Sequence, residues 1–168
     1  MDLLDRLLGH DAWTTRQLLE CCRGMGDEAF DLPFEIGRGT LRATFVHIVR
    51  NMEVWSGVMD GSIRCWSDVA EETPGRQTVE ALMGRLEAAA DRLARVSRRV
   101  REEGAWDETW VDVLESPPRL RTYAGAIGHV ITHSMHHRGQ VMYMLRRLGV
   151  ERVPEGDVLG WEEGVGRA

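Results

Sequence analysis

The sequence predicts an all-α fold, namely a four-helix bundle formed by a single domain over residues 1–168. In four long segments, apolar residues recur every three or four positions, which is the spacing of one face of an α-helix. The length is that of one ordinary domain, large enough to bury its own core. Hydrophobic residues make up 43% and charged residues 29%, the balance of a globular protein. Four amphipathic helices in one domain pack most simply as a bundle.

Start and stop signals delimit these helices. Gly39 and Thr40 precede the second apolar stripe, and threonine is a favoured N-cap because its hydroxyl accepts a hydrogen bond from a free backbone N–H. Pro74-Gly75 interrupts the chain before the third stripe. Gly61 and Gly149 follow the second and fourth stripes, where glycine commonly ends a helix. The predicted helices cover about residues 2–23, 40–59, 78–101 and 123–148.

A small β-hairpin is predicted before the fourth helix. Residues 109–114 have the composition of a short strand, Ser116-Pro117-Pro118 turns the chain, and residues 119–121 return. The tail at residues 150–168 is rich in glycine and charge, so we expect it to be largely irregular, with at most one turn near residues 158–161.

Composition excludes several classes of partner. The net charge is −6 and all 21 basic residues are arginine, without a basic stripe, so the chain is not expected to bind nucleic acid. No signal peptide and no apolar run long enough for a bilayer are present, which predicts a cytoplasmic protein without a membrane partner. Cys21, Cys22 and Cys65 form neither a metal-type pair nor an even disulfide framework.

Histidines are concentrated in the fourth predicted helix, where His129, His133 and His137 recur at every fourth residue. Imidazoles one helical turn apart can bind the same metal ion. His129 and His137 lie about 12 Å apart along the axis, too far for two bonds of about 2 Å to one ion. The pair is therefore either His129 with His133 or His133 with His137. His137 lies near the centre of the apolar face, which favours the second pair.

A third ligand is expected from a facing helix. His47 is the only histidine of the second helix and lies on the flank of its apolar stripe, whereas His10 in the first helix is the alternative. Ligand imidazoles need hydrogen-bond partners that orient them. Gln140, Asn51 and Thr44 lie on suitable helix faces for that role.

The remaining histidines of the fourth helix are assigned supporting positions. We expect His129 to support the site or the fold, and His136 to lie at the edge of the helix. Three protein ligands that leave a coordination position open are typical of catalytic rather than structural metal sites. Imidazole ligands suit zinc, nickel, cobalt, iron or copper, so the expected cofactor is a divalent ion whose identity stays open.

The sequence resembles the DinB-like, YfiT-type superfamily, metal-binding four-helix bundles named for damage-inducible expression and distinct from the lesion-bypass polymerase that shares the name. The specific element is His129-x3-His133-x3-His137-Arg138-Gly139-Gln140 in the fourth helix, joined to an upstream histidine. The match spans nearly the whole chain. Further matching elements stand at residues 13–19, 39–42, 45–49, 55, 60–61 and 145–149.

This resemblance implies that His47, His133 and His137 bind the metal, in agreement with the helical wheel. It also implies a long crossover between the second and third helices and a homodimer. Some members of the superfamily transfer a low-molecular-weight thiol, such as bacillithiol, mycothiol or glutathione, to an electrophile. The expected partners are therefore a small-molecule thiol and an electrophile.

Three functional hypotheses follow from this site. In the first, a metal-dependent thiol-S-transferase, the ion favours the thiolate, which attacks a carbon–halogen, epoxide or enone electrophile. In the second, a hydrolase or isomerase, the same ion activates water. In the third, the protein is a non-enzymatic, damage-inducible metal-binding protein of the stress response. The motifs contain no convincing protein nucleophile, so metal activation would have to carry most of the rate enhancement.

Overall fold

The computed structural model describes residues 1–69 and 77–165, and most of these residues are helical. The all-α prediction is confirmed, because the strands in this part of the chain form only one small sheet. No helix in the described ranges has the length and apolar character that crossing a lipid bilayer requires. The elements are α1 (Leu3–Glu20), α2 (Asp27–Phe30), α3 (Leu41–Met59), a 3-10 turn (Trp66–Asp68), α4 (Val79–Glu103), β1 (Thr109–Asp112), β2 (Arg119–Thr122), α5 (Tyr123–Arg147) and α6 (Val158–Val165).

A capping side chain fixes the start of each long helix. The first backbone N–H groups of a helix lack carbonyl partners within it, and a side-chain oxygen at the N-cap satisfies one of them. The four predicted long helices are confirmed, with ends that shift by up to three residues. The caps and their acceptor distances are Asp2 (2.9 Å), Thr40 (3.0 Å), Thr78 (3.1 Å) and Thr122 (3.1 Å).

Ion pairs show that α3 and α4 run in the same direction. Glu53 pairs with Arg85 at 2.7 Å, and Asp60 pairs with Arg92 at 2.7 Å. From the first pair to the second, residue numbers rise on both helices, so the two helices are parallel. The connection from the end of α3 to the start of α4 therefore has to run back along their length. Part of that connection, residues 70–76, lies outside the described residues, and the predicted crossover is therefore only partly described.

Ring contacts show that α5 runs opposite to α3. The rings of His47 and His137 lie 4.6 Å apart, whereas those of Trp55 and His129 lie 5.1 Å apart. Rising residue numbers on α3 thus meet falling numbers on α5. This arrangement brings the histidine face of α5 against the face of α3 that carries His47. The core between the helices is apolar. Its almost fully buried side chains include Leu18, Leu41, Phe45, Ile48, Leu82, Leu93 and Met144.

The predicted hairpin is confirmed as an antiparallel pair, β1 with β2. Thr109 is opposite Thr122 and Asp112 is opposite Arg119. Because β2 continues directly into α5, the hairpin is held beside the N-terminal end of the histidine helix.

Two short helices differ from the sequence prediction: α2 was not predicted, and α6 is longer than the single turn expected near residues 158–161. The four-residue α2 is held by Arg42 of α3, whose guanidinium donates to Asp31 at 2.7 Å. The tail, expected to be largely irregular, contains the eight-residue helix α6. Trp161 of α6 is buried directly against Gly9 of α1, where a Cβ would lie 2.7 Å from the indole. Tertiary contacts rather than local propensity therefore order both segments.

Candidate metal centre

Three histidines from two helices converge between α3 and α5. His47 comes from α3, and His133 and His137 come from successive turns of α5. One ring nitrogen from each lies within 4.8 Å of the other two. The Nε2 atoms of His47 and His133 face each other at 3.3 Å. Three imidazole nitrogens at this separation can be bridged by one ion with bonds of about 2 Å.

The other histidines lie outside this cluster. The ring of His129 packs at a tilt between the rings of Trp55 and His133, with ring centroids 5.1 Å apart in each pair. His136 is exposed at the edge of α5. His10, the alternative third ligand, instead bonds through Nε2 to the carbonyl of Gly156 at 2.7 Å, so it holds the tail. Of the two pairs considered from helical rise, His133 with His137 is the one that meets a histidine of another helix.

Gln140 fixes the orientation of His137. Its Oε1 lies 2.8 Å from Nδ1 of His137, and its Nε2 lies 2.9 Å from Nε2 of His136. An imidazole that donates from Nδ1 has an unprotonated Nε2, which is the atom free to bind a metal. Gly37 lies directly under this amide, because a Cβ at residue 37 would overlap Gln140 Oε1. Sequence reasoning missed Gly37.

Asn51 and Thr44, the other expected supports, differ in what they contact. The hydroxyl of Thr44 donates to the backbone carbonyl of Thr40 at 2.7 Å. This proton is therefore used within the first turn of α3 and does not orient a histidine of the cluster. Nδ2 of Asn51 is buried without a hydrogen-bond partner among the described residues. Nδ1 of His133 is likewise buried without a partner in this part of the chain. An imidazole bound through Nε2 carries a proton on Nδ1 and needs an acceptor there.

The cluster keeps its histidines uncharged at neutral pH. The pKa of His47 is lowered to about 4, first by burial and then by the charges of His137 and Arg38. The pKa of His133 is lowered to about 4, again mainly by burial. Burial also lowers the pKa of His137, although its hydrogen bond to Gln140 opposes this. Neutral imidazoles offer the lone pairs that a metal ion requires.

A buried ion pair lies directly behind the cluster, and sequence reasoning missed it. Arg138, next to His137, is 1% exposed and bonds to the side chain of Asp11 in α1. The same guanidinium donates to the Asp11 carbonyl at 3.1 Å. Burial raises the pKa of Asp11 to about 6, and the positive charge of Arg138 opposes this rise. The pair fixes how α5 is rotated against α1.

A cleft of about 430 Å³ opens beside the cluster. His47 forms part of its wall, followed along α3 by Asn51 and Trp55, and Trp66 and Leu114 close the other side. A ligand in this cleft would touch the same histidine that belongs to the metal cluster. The hairpin thus contributes to the site, which the sequence did not indicate.

These residues fit a divalent metal ion. The group contains three neutral nitrogen donors and, within the described ranges, no carboxylate. Such a set leaves the positive charge of an ion uncompensated and at least one coordination position for a ligand from the cleft. The arrangement can therefore bind a metal and present it to a small molecule.

No curated protein matches the sequence. Residues 1–163 match the family model of the DinB family, as the resemblance of the histidine motif predicted. Because this match covers nearly the whole chain, the protein belongs to the DinB family.

Proposed function

We propose that this DinB protein holds a divalent metal ion, such as zinc or nickel, through His47, His133 and His137. We further propose that it uses the ion to transfer a low-molecular-weight thiol to an electrophile. The observation that carries the proposal is the convergence of three neutral imidazoles beside an open cleft. Bacillithiol, mycothiol and glutathione are the candidate thiols.

A bound divalent ion supplies Lewis acidity, which lowers the pKa of a thiol and favours its anionic form at neutral pH. With a carbon–halogen electrophile, the new sulfur–carbon bond forms as the carbon–halogen bond breaks. The halide leaves with the bonding electron pair, and the thiol proton passes to solvent. Atoms and charge balance without a further reactant.

The protein's own residues contribute orientation and charge. Gln140 holds His137 in one tautomer, so that its Nε2 stays unprotonated. The guanidinium of Arg38 acts electrostatically on both His47 and His137, and positive charge at this place favours an anionic sulfur. The apolar side chains of Val54, Trp55 and Val58 form part of the cleft wall beside His47.

The test is a thiol panel on protein of known metal content. Purified protein should contain about one divalent ion per chain, and it should consume one of the three thiols with bromoacetamide or an epoxide. Protein stripped by a chelator should lose this activity and regain it with metal. Stoichiometric metal without consumption of any thiol would overturn the transferase proposal. Hydrolysis of esters or amides without thiol would favour the hydrolase hypothesis.

We also infer that α1, α3, α4 and α5 form a four-helix bundle within one domain, with a long crossover between α3 and α4. The common direction of α3 and α4 supports the crossover. Homodimer formation and a cytoplasmic location stay predictions from the sequence, and sedimentation of the purified protein tests the first.

A further inference from the structure

The cleft beside the histidine cluster changes in character along its length. On α3, its wall runs from His47 through Asn51 to Val54, Trp55 and Val58. With a rise of about 1.5 Å per residue, Trp55 lies about 12 Å along the helix from His47. Along α3, the cleft therefore has a histidine end at His47, a polar middle at Asn51 and an apolar end at Val54, Trp55 and Val58.

Two tryptophans define the apolar end. The ring of Trp55 is fixed from behind by Trp110 at 6.0 Å and His129 at 5.1 Å. Trp66, on the other side of the cleft, is 61% exposed, and its indole N–H already donates to the Leu114 carbonyl at 2.9 Å. Because this N–H already has a partner, Trp66 offers a ligand mainly its apolar ring surface.

Charged side chains do not decide which ligand the tryptophan end favours. The carboxylates of Asp112 and Glu115 line the cleft, but both pair with Arg121, at 3.5 Å and 3.1 Å. Arg50 also lines the cleft, but it lies about 4.5 Å along α3 from His47 and so belongs to the polar middle. An exposed aromatic ring gains most from a flat apolar partner, because stacking adds to the area removed from water. The tryptophans thus favour a planar apolar group over a charged one.

We propose that the cleft binds an elongated electrophile whose planar apolar group lies against Trp55 and Trp66, about 12 Å from its reactive carbon. This inference deepens the proposed function and rests on it for the reactive end, whereas binding of the planar group does not require reaction. Trp66 is then a specificity-determining residue. Binding energy from the remote planar group positions the reactive carbon beside the histidine cluster.

Unreactive analogues test the binding step alone. The probes are acetamides with a butyl chain on nitrogen that ends in naphthyl, in saturated decalin, or in nothing, titrated calorimetrically into zinc-loaded protein. We expect the naphthyl probe to bind most tightly. Trp66→Ala should weaken it by about fivefold or more, whereas Trp66→Phe, which keeps a flat ring, should retain most of the affinity. Leu159→Ala removes an exposed apolar side chain of α6 and should leave the affinity unchanged.

Equal binding of the naphthyl and decalin probes, or full affinity in Trp66→Ala, would overturn the inference. Circular dichroism of each variant verifies that it folds. The corresponding bromoacetamides separate this inference from the proposed function. Probe selectivity without thiol transfer would overturn the transferase and leave the cleft assignment standing. Thiol transfer that is indifferent to Trp66 and to the planar group would do the reverse.

Discussion

Gly37 lies against the side-chain amide of Gln140, and this contact joins the loop before α3 to the histidine cluster. A Cβ at residue 37 would overlap Gln140 Oε1, the atom that accepts the hydrogen bond from His137. The backbone of Gly37 also has a φ of +58°, which residues other than glycine rarely adopt. The loop that contains Gly37 is thus coupled to His137, a candidate metal ligand, through the side-chain amide of Gln140.

Gly37→Ala should lower metal affinity by about tenfold or more, since loss of a partner that orients a ligand histidine typically costs that much. Competition with a chromogenic chelator measures it. Gly24→Ala is the matched control, because Gly24 also has a positive φ, of +78°, but no atom of the described residues other than its chain neighbours lies within 4 Å of its Cβ position. Equal losses of metal affinity in the two variants would contradict the coupling.

Substitution of the histidines should separate ligands from neighbours. His47→Ala, His133→Ala and His137→Ala should each weaken metal binding by more than about 100-fold, beyond the cost of losing a supporting partner. His129→Ala and His136→Ala should retain tight binding, because their rings lie outside the cluster. Metal analysis after dialysis reports the outcome. If His129→Ala alone released the ion, His129 with His133 would be the true pair.

The metal-free protein should lose stability as the pH falls from about 6.5 to about 4. Imidazoles of the unfolded chain take up protons near pH 6.5, whereas those of His47 and His133 do so only near pH 4. Between these values the two imidazoles bind more protons in the unfolded state, so their contribution to the free energy of unfolding declines with falling pH and levels off below. The Asp11 carboxyl, whose pKa burial raises to about 6, acts in the opposite direction. Urea unfolding at several pH values, compared with a His47→Gln/His133→Gln variant, isolates this contribution. An equally steep decline in that variant would contradict the prediction.

Removing one partner of the buried pair Asp11 and Arg138 should lower the free energy of unfolding strongly, whereas replacing both partners with apolar residues should lower it much less. Asp11→Leu leaves a buried guanidinium without its anion and should destabilise the fold by about 3–5 kcal/mol. The double variant Asp11→Leu/Arg138→Met removes both charges, and it should recover much of that loss. Denaturant unfolding measures both variants. A double variant no more stable than Asp11→Leu would show that the pair contributes more than mutual neutralisation.

The sequence predicted the long helices because their boundaries depend on local signals. Thr40 caps α3 where the periodicity begins, and Thr122 caps α5. Helical rise reduced the histidines of α5 to two adjacent pairs, and the wheel position of His137 and the family resemblance both favoured His133 with His137. His47 was the obvious third member because α3 contains no other histidine.

The missed features depend on contacts between distant parts of the chain. Arg138 stands in a motif that draws attention to its histidines, and nothing local shows that its partner is Asp11, 127 residues earlier. Trp161 orders α6 only because Gly9 leaves room for its ring. Gly37, in the loop before α3, matters through Gln140, which belongs to α5.

Because the histidines come from two different helices, a bound metal ion would affect the stability of the protein. Nε2 of His47 and Nε2 of His133 come from residues 86 positions apart in the chain, so an ion held between them would act as a removable cross-link. Its contribution to stability would grow with the logarithm of free metal concentration. Chelation would then expose the chain to proteolysis, and the abundance of the protein in a cell would follow the supply of its metal.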